Sequence, residues 1–84
     1  MKDNTLTQRA IDFIKALKEN PNGITVYDLP QYDHRDVKCT TNALRIKGYI
    51  TIEKDNIISF KKLDDSGKYW QLYYLTPKGQ ELEF

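Results

Sequence analysis

Arg35, Lys38, Asn42 and Arg45 recur at steps of three and four residues, so on an α-helix they share one face. Three cations and a carboxamide held together suit nucleic acid. A guanidinium pairs bidentately with guanine or phosphate, a carboxamide pairs with adenine, and an ammonium neutralises phosphate. Val37, Thr40, Thr41 and Leu44 fall on the opposite face, a narrow stripe that can anchor the helix. Thr41 lies at the border, where its hydroxyl could reach a phosphate or pack. A helix with one anchored stripe and a cationic free face can lie in a DNA major groove. His34, at the helix start, either meets a phosphate together with unbonded backbone N–H groups or stands exposed.

Other chemistries find less support. The chain has one His and one Cys. His34 and Cys39 are five positions apart, roughly 140° around a helix, so they do not form a nucleophile–base pair. There is no glycine-rich phosphate loop. Asp28, Asp33 and Asp36 around His34 suggest a metal, but two of them are explained as caps or turn formers, so no metal is expected. The expectation is a protein that is not an enzyme and needs no cofactor. Cys39 could act as a redox switch, but the preferred reading is a small, semi-buried filler.

The helix that positions these groups has marked ends. Asp33 is a good N-cap, Asp36 can complete a capping-box-like pair, and Gly48 stands where a left-handed residue is wanted after Lys47. The expected span is 34–47. Before it, Leu6, Ala10, Phe13, Ile14 and Leu17 predict a core-facing helix from Thr5 or Thr7 to Glu19, stopped by Asn20-Pro21-Asn22-Gly23. Ile24-Thr25-Val26 reads as a very short strand, with Thr25 alternatively capping a second helix that Pro30 breaks. Leu29, Val26 and one of Tyr27 or Tyr32 should point inward.

After Gly48 the pattern changes to extended chain through Tyr49-Ile50-Thr51-Ile52, with a bend or bulge at Asp55-Asn56. Ile57–Leu63 and Lys68–Leu75 read as a hairpin closed by Asp64-Asp65-Ser66-Gly67. Trp70, Leu72 and Tyr74 share one face of its second arm; Tyr69, Tyr73 and Leu75 share the other, which the chain ends or a partner should cover. Thr76-Pro77 starts a last helix of about two turns, with Leu82 and Phe84 packing back.

Composition sets outer bounds. A chain of 84 residues with 39% hydrophobic residues makes one domain, 1–84. No apolar run approaches the roughly 20 residues of a membrane span. The first residues lack an apolar leader, and a lone cysteine fits a reducing interior, so a cytoplasmic location is expected. The net charge is only +1, but Arg35, Lys38, Arg45 and Lys47 against Asp36 give residues 34–49 a local +3. Lys61 and Lys62 on the hairpin could add phosphate contacts. Asp64 and Asp65 would oppose DNA and suit a basic patch on a protein partner. Ile46, Tyr69 and Tyr73 are further candidates for such an interface.

The order helix, short strand, broken helix, long helix, hairpin, short helix resembles winged helix-turn-helix regulators of the MarR and PadR type. The resemblance rests on A-L-R-I-K-G-Y-I (residues 43–50) and Y-Y-L-T-P-K-G-Q-E-L (residues 73–82), and spans roughly residues 7–82. It implies an α+β winged helix with a three-helix core, a β-hairpin wing and a short C-terminal helix. It further implies a sequence-specific DNA-binding transcriptional regulator, a repressor of bacterial or phage type. Residues 34–47 would enter the major groove of double-stranded DNA, with hairpin 57–75 as wing. Arg35, Lys38, Thr41, Asn42, Arg45, Lys61 and Lys62 are then the expected contacts, and a homodimer would serve a palindromic site. The chain departs from the family at Pro30, at the acidic hairpin tip and in its short last helix. Those departures keep an alternative open: a winged-helix protein-interaction module that inhibits or recruits a larger nucleic-acid-processing machine.

Overall fold

Thr7 caps the first helix, α1 (Gln8–Glu19), through its hydroxyl, and Ala10, Phe13, Ile14 and Leu17 form the buried stripe. The computed structural model describes residues 1–62 and 67–84. Asn20 ends α1, and Gly23 follows with φ +96°, packed so closely against Tyr74 that a Cβ would meet the ring at 2.8 Å. This approach lets Ile24 exchange two backbone hydrogen bonds with Tyr73 (3.1 and 2.8 Å). The expected short strand is therefore a single bridge.

Thr25 then caps one 3-10 turn, Val26–Asp28, in a capping box with the Asp28 carboxylate. The second helix of the expected three-helix core is thus reduced to this turn, as Pro30 directs. Val26 and Leu29 are buried, and Tyr32 packs against the core while its hydroxyl donates to Asp12. Tyr27 stays outside.

The second helix, α2, runs His34–Ile46. The Asp33 carboxylate accepts from the Arg35 N–H at 2.8 Å. Asp36 takes no part as a side chain, so the expected capping-box-like pair does not form; its N–H simply begins the backbone ladder on the Asp33 carbonyl. Val37, Thr40, Thr41 and Leu44 face inward. Arg9 donates to the Thr40 hydroxyl at 2.7 Å and ties α1 to α2. The helix ends in a Schellman turn. The Gly48 N–H bonds to Arg45 and that of Tyr49 to Leu44, both at 3.0 Å, with Gly48 at φ +81°.

Three antiparallel strand pairs follow. Strand β1 (Ile50–Thr51) pairs with β6 (Tyr74–Leu75), β2 (Glu53–Lys54) with β3 (Ile57–Ile58), and β4 (Phe60–Lys62) with β5 (Tyr69–Gln71). Asp55 and Asn56, at φ 55° and 64°, close β2 onto β3 as a two-residue turn rather than a bend or bulge. That turn removes Ile57 and Ile58 from the long hairpin, whose ladder extends from Lys62–Tyr69 to Ser59–Leu72. Strict alternation fails at Tyr73 and Tyr74, which are both buried. Tyr73 bridges to Ile24 and meets Phe13 edge-on at 5.8 Å, so chain rather than a partner covers it.

The last helix, α3 (Pro77–Gln80), is one turn rather than two. Thr76 accepts from the Gly79 N–H at 3.0 Å and donates to the Gly48 carbonyl at 2.6 Å, locking α3 to the end of α2. Leu82 is buried, whereas Phe84 is exposed beneath the Lys15 and Lys18 ammonium groups. The result is a small, compact α+β fold of three helices and short antiparallel pairs. Among the described residues, no helix is long and apolar enough to cross a membrane.

Candidate nucleic-acid interface

With Val37, Thr40, Thr41 and Leu44 turned to the core, helical geometry fixes what α2 presents to solvent. Arg35, Lys38, Asn42 and Arg45 are all exposed there, together with Cys39 and Ile46. Thr41 is not among them. It is fully buried and its hydroxyl donates to the Lys38 carbonyl at 2.6 Å, which removes it from the expected contacts. Cys39 is exposed rather than semi-buried.

The exposed cations differ in their surroundings. Arg35 folds back on the cap: its Nη2 and Nε lie 3.2 and 3.3 Å from the two Asp33 carboxylate oxygens. The guanidinium, then the Arg35 backbone N–H, hold the Asp33 carboxyl at about 2, below the usual carboxylate range, and Asp33 in turn raises Arg35. Lys38 and Arg45 have no acid within ion-pair distance among the described residues. Lys47 turns away from the face, its ammonium 2.6 Å from the Thr5 hydroxyl and 3.3 Å from Asp3. Asp3 also accepts from the Tyr49 hydroxyl at 2.6 Å. The Thr5 hydroxyl and then Tyr49 hold its carboxyl far below the usual range, and Asp3 raises the Tyr49 phenol. Lys47 thus fastens the first residues to the end of α2.

Sequence reasoning missed the group that joins this helix to the hairpin. The His34 ring stacks on Tyr27 (centroids 4.7 Å apart, 22° between planes), and Trp70 meets Tyr27 edge-on at 4.5 Å and His34 at 6.0 Å. Turn, helix start and β5 therefore meet in one aromatic cluster. Beside it is a cleft of about 70 Å³ lined by Val26, Lys38, Trp70, Gln71 and Tyr73. Three aromatic positions this far apart in sequence carry no periodic signal, so only the folded chain reveals them.

Opposite Trp70 on β4 is Lys61, and opposite Tyr69 is Lys62, both lysines exposed. Of the five residues expected to meet a protein partner, Ile46 and Tyr69 are exposed and Tyr73 is buried, while Asp64 and Asp65 lie outside the described residues. Ile57, Ile58 and Phe60 are also exposed. At the far end of α2, Asn42, Arg45 and Ile46 form a shallow open groove with Ile50 and Thr51 of β1. A larger cavity, between α1, the β2–β3 turn and α3, contains no residue of α2 in its lining. Among the described residues, no three His, Cys, Asp or Glu side chains converge as a metal site would require.

No family model, curated protein or solved structure matches the chain.

Proposed function

We propose that this chain is a winged-helix, sequence-specific DNA-binding transcriptional regulator, with α2 in the major groove and the β4–β5 hairpin as its wing. The observation that carries the reading is the exposed stripe of α2: Arg35, Lys38, Asn42 and Arg45, with Thr41 turned away. The stripe offers phosphate-neutralising charge and the side chains suited to guanine and adenine edges. Lys61 and Lys62 extend the charge onto the hairpin, which the Trp70 contacts hold beside the helix start. Such a protein acts by occlusion, covering a site that another factor needs.

The test is a salt titration of binding to mixed-sequence duplex DNA. Micromolar or tighter affinity is expected at low salt, with log K falling by about 0.9 per phosphate contact for each tenfold rise in salt. Replacing Arg35 and Arg45 together with Ala should weaken binding by at least about tenfold while the fold persists, since both side chains are exposed. Absence of binding at low salt overturns the proposal.

The exposed apolar residues of the hairpin, Phe60 (56%) and Tyr69 (61%) with Ile57 and Ile58, favour one second reading, a protein-interaction module. Phe60→Ser with Tyr69→Ser would then abolish capture of a protein partner while Arg35 and Arg45 could be changed without loss.

A further inference from the structure

Ile46 is 88% exposed, the most exposed of the large apolar side chains among the described residues. Its place on the helix makes that exposure informative. At roughly 100° per residue it projects about 20° from Arg35 and about 40° from Asn42, on the free face just past the edge of the cationic stripe, and it is the last residue of α2. It also lines the shallow groove that Asn42 and Arg45 share with Ile50 and Thr51. A β-branched apolar group held in water at the end of a polar helix face gains nothing for the isolated fold.

We infer that Ile46 is a specificity-determining residue that packs on the 5-methyl group of a thymine in the major groove. The inference rests on the DNA reading above and names part of what that surface reads. Asn42 lies one helical turn before Ile46, about 6 Å along the axis, which spans roughly two base-pair steps. Asn42 has the paired donor and acceptor that match adenine N6 and N7. Ile46 has neither, so against guanine or unmethylated cytosine it would desolvate a polar edge with no compensating hydrogen bond. Against a thymine methyl it buries apolar surface on apolar surface. Arg45 beside it in the groove, with Lys38 and Arg35 further back along the same helix, supplies the charge that a phosphate-lined groove complements. The expected site therefore contains an adenine and, within about two base pairs, a thymine whose methyl group counts.

The experiment enriches bound duplexes from a random library with the full chain at low salt. Each thymine of the enriched site is then replaced in turn by deoxyuridine, which removes only the methyl. Affinities are measured by fluorescence anisotropy for the wild-type chain and for Ile46→Ala. One thymine position is expected at which wild-type binding weakens about threefold to fivefold, the worth of one buried methyl group, and at which Ile46→Ala shows no change. Circular dichroism should show Ile46→Ala to be folded, because the removed atoms touch water. If duplex binding persists but no thymine shows a methyl effect, or both proteins show the same one, the inference falls and the DNA reading stands. If Ile46→Ala instead disperses an oligomer and leaves the site pattern unchanged, the side chain serves a protein contact and the inference also falls. If no duplex binds at low salt, the DNA reading itself is overturned, and the inference with it.

Discussion

Gly79 packs so tightly against Tyr49 that a Cβ built on it would overlap the Tyr49 carbonyl oxygen and stand 2.7 Å from Leu75 Cδ1. The same carbonyl accepts the Thr76 N–H at 3.0 Å, so α3 has no room to withdraw without losing that bond. Gly79→Ala should therefore cost about 1–3 kcal/mol or more in urea unfolding. Gly48 makes the instructive contrast. A Cβ there would meet only Lys78 Cδ, at 3.7 Å, so Gly48→Ala should show just the left-handed backbone penalty, on the order of 1–2 kcal/mol.

The Asp33–Arg35 pair predicts opposite effects on stability and on binding. Asp33 titrates at about 2 when folded, below the roughly 3.9 of an unfolded chain. Its contribution is complete above pH 4 and is lost as pH falls through 2. Asp33→Asn keeps a capping oxygen, so it should remove this acid sensitivity while retaining the helix start. It also releases Arg35 and deletes a charge that repels phosphate. DNA affinity should rise severalfold, with a steeper salt dependence. Unchanged affinity in an anisotropy titration would show that Arg35 stays clear of the backbone.

Trp70 is the chain's one tryptophan and sits where the hairpin meets α2. Trp70→Ala should lower stability by about 1–3 kcal/mol, from two lost aromatic pairs and some burial. It should also weaken DNA binding by about tenfold, because the hairpin that carries Lys61 and Lys62 would lose its contact with the helix start. In the wild-type chain, Trp70 emission should change on binding DNA, and a spectrum indifferent to saturating duplex would place the hairpin away from the contact.

Cys39 offers a steric probe, being exposed next to Asn42 and Arg35 on the turns of α2. Alkylation with a bulky maleimide should block DNA binding without altering the circular dichroism spectrum. The Cys39→Ala chain should bind normally and resist the reagent. Full binding by the alkylated protein would clear this face of any groove contact.

Much of the helical framework was legible because it is written in local terms. The three- and four-residue spacing from Ala10 to Leu17, the Thr7 and Asp33 caps, and the Thr76-Pro77 start all act over a few residues, and each appears where expected. Pro30 likewise announces that the segment before α2 cannot continue as a helix. Strand pairing was less legible. Alternation says which residues can share a face but not which strand they will meet. Asp55-Asn56 announces a change of direction, but nothing local says that it pairs Ile57 with Lys54, or that Tyr73 will bond to Ile24. The candidate surface divides in the same way. Arg35, Lys38, Asn42 and Arg45 follow from helical periodicity, while Thr41, at the edge of the stripe, is settled by packing. The Tyr27–His34–Trp70 cluster depends on contacts between distant parts of the chain.

Thr51 and Tyr74 stand opposite each other on β1 and β6. Between them Ile52 and Trp70 pack against the core and Tyr73 lies within it. The exposed run from Glu53 to Ile58 makes an excursion closed by its own β2–β3 pairing. Because the ends of that excursion are pinned, its length carries little thermodynamic weight: doubling a loop costs only about 0.6 kcal/mol in closure entropy. Insertions and deletions here would be tolerated where the same changes inside α2 would not. Over evolutionary time, descendants of this chain could vary the reach of the β2–β3 turn while inheriting the helix and its supports nearly unchanged.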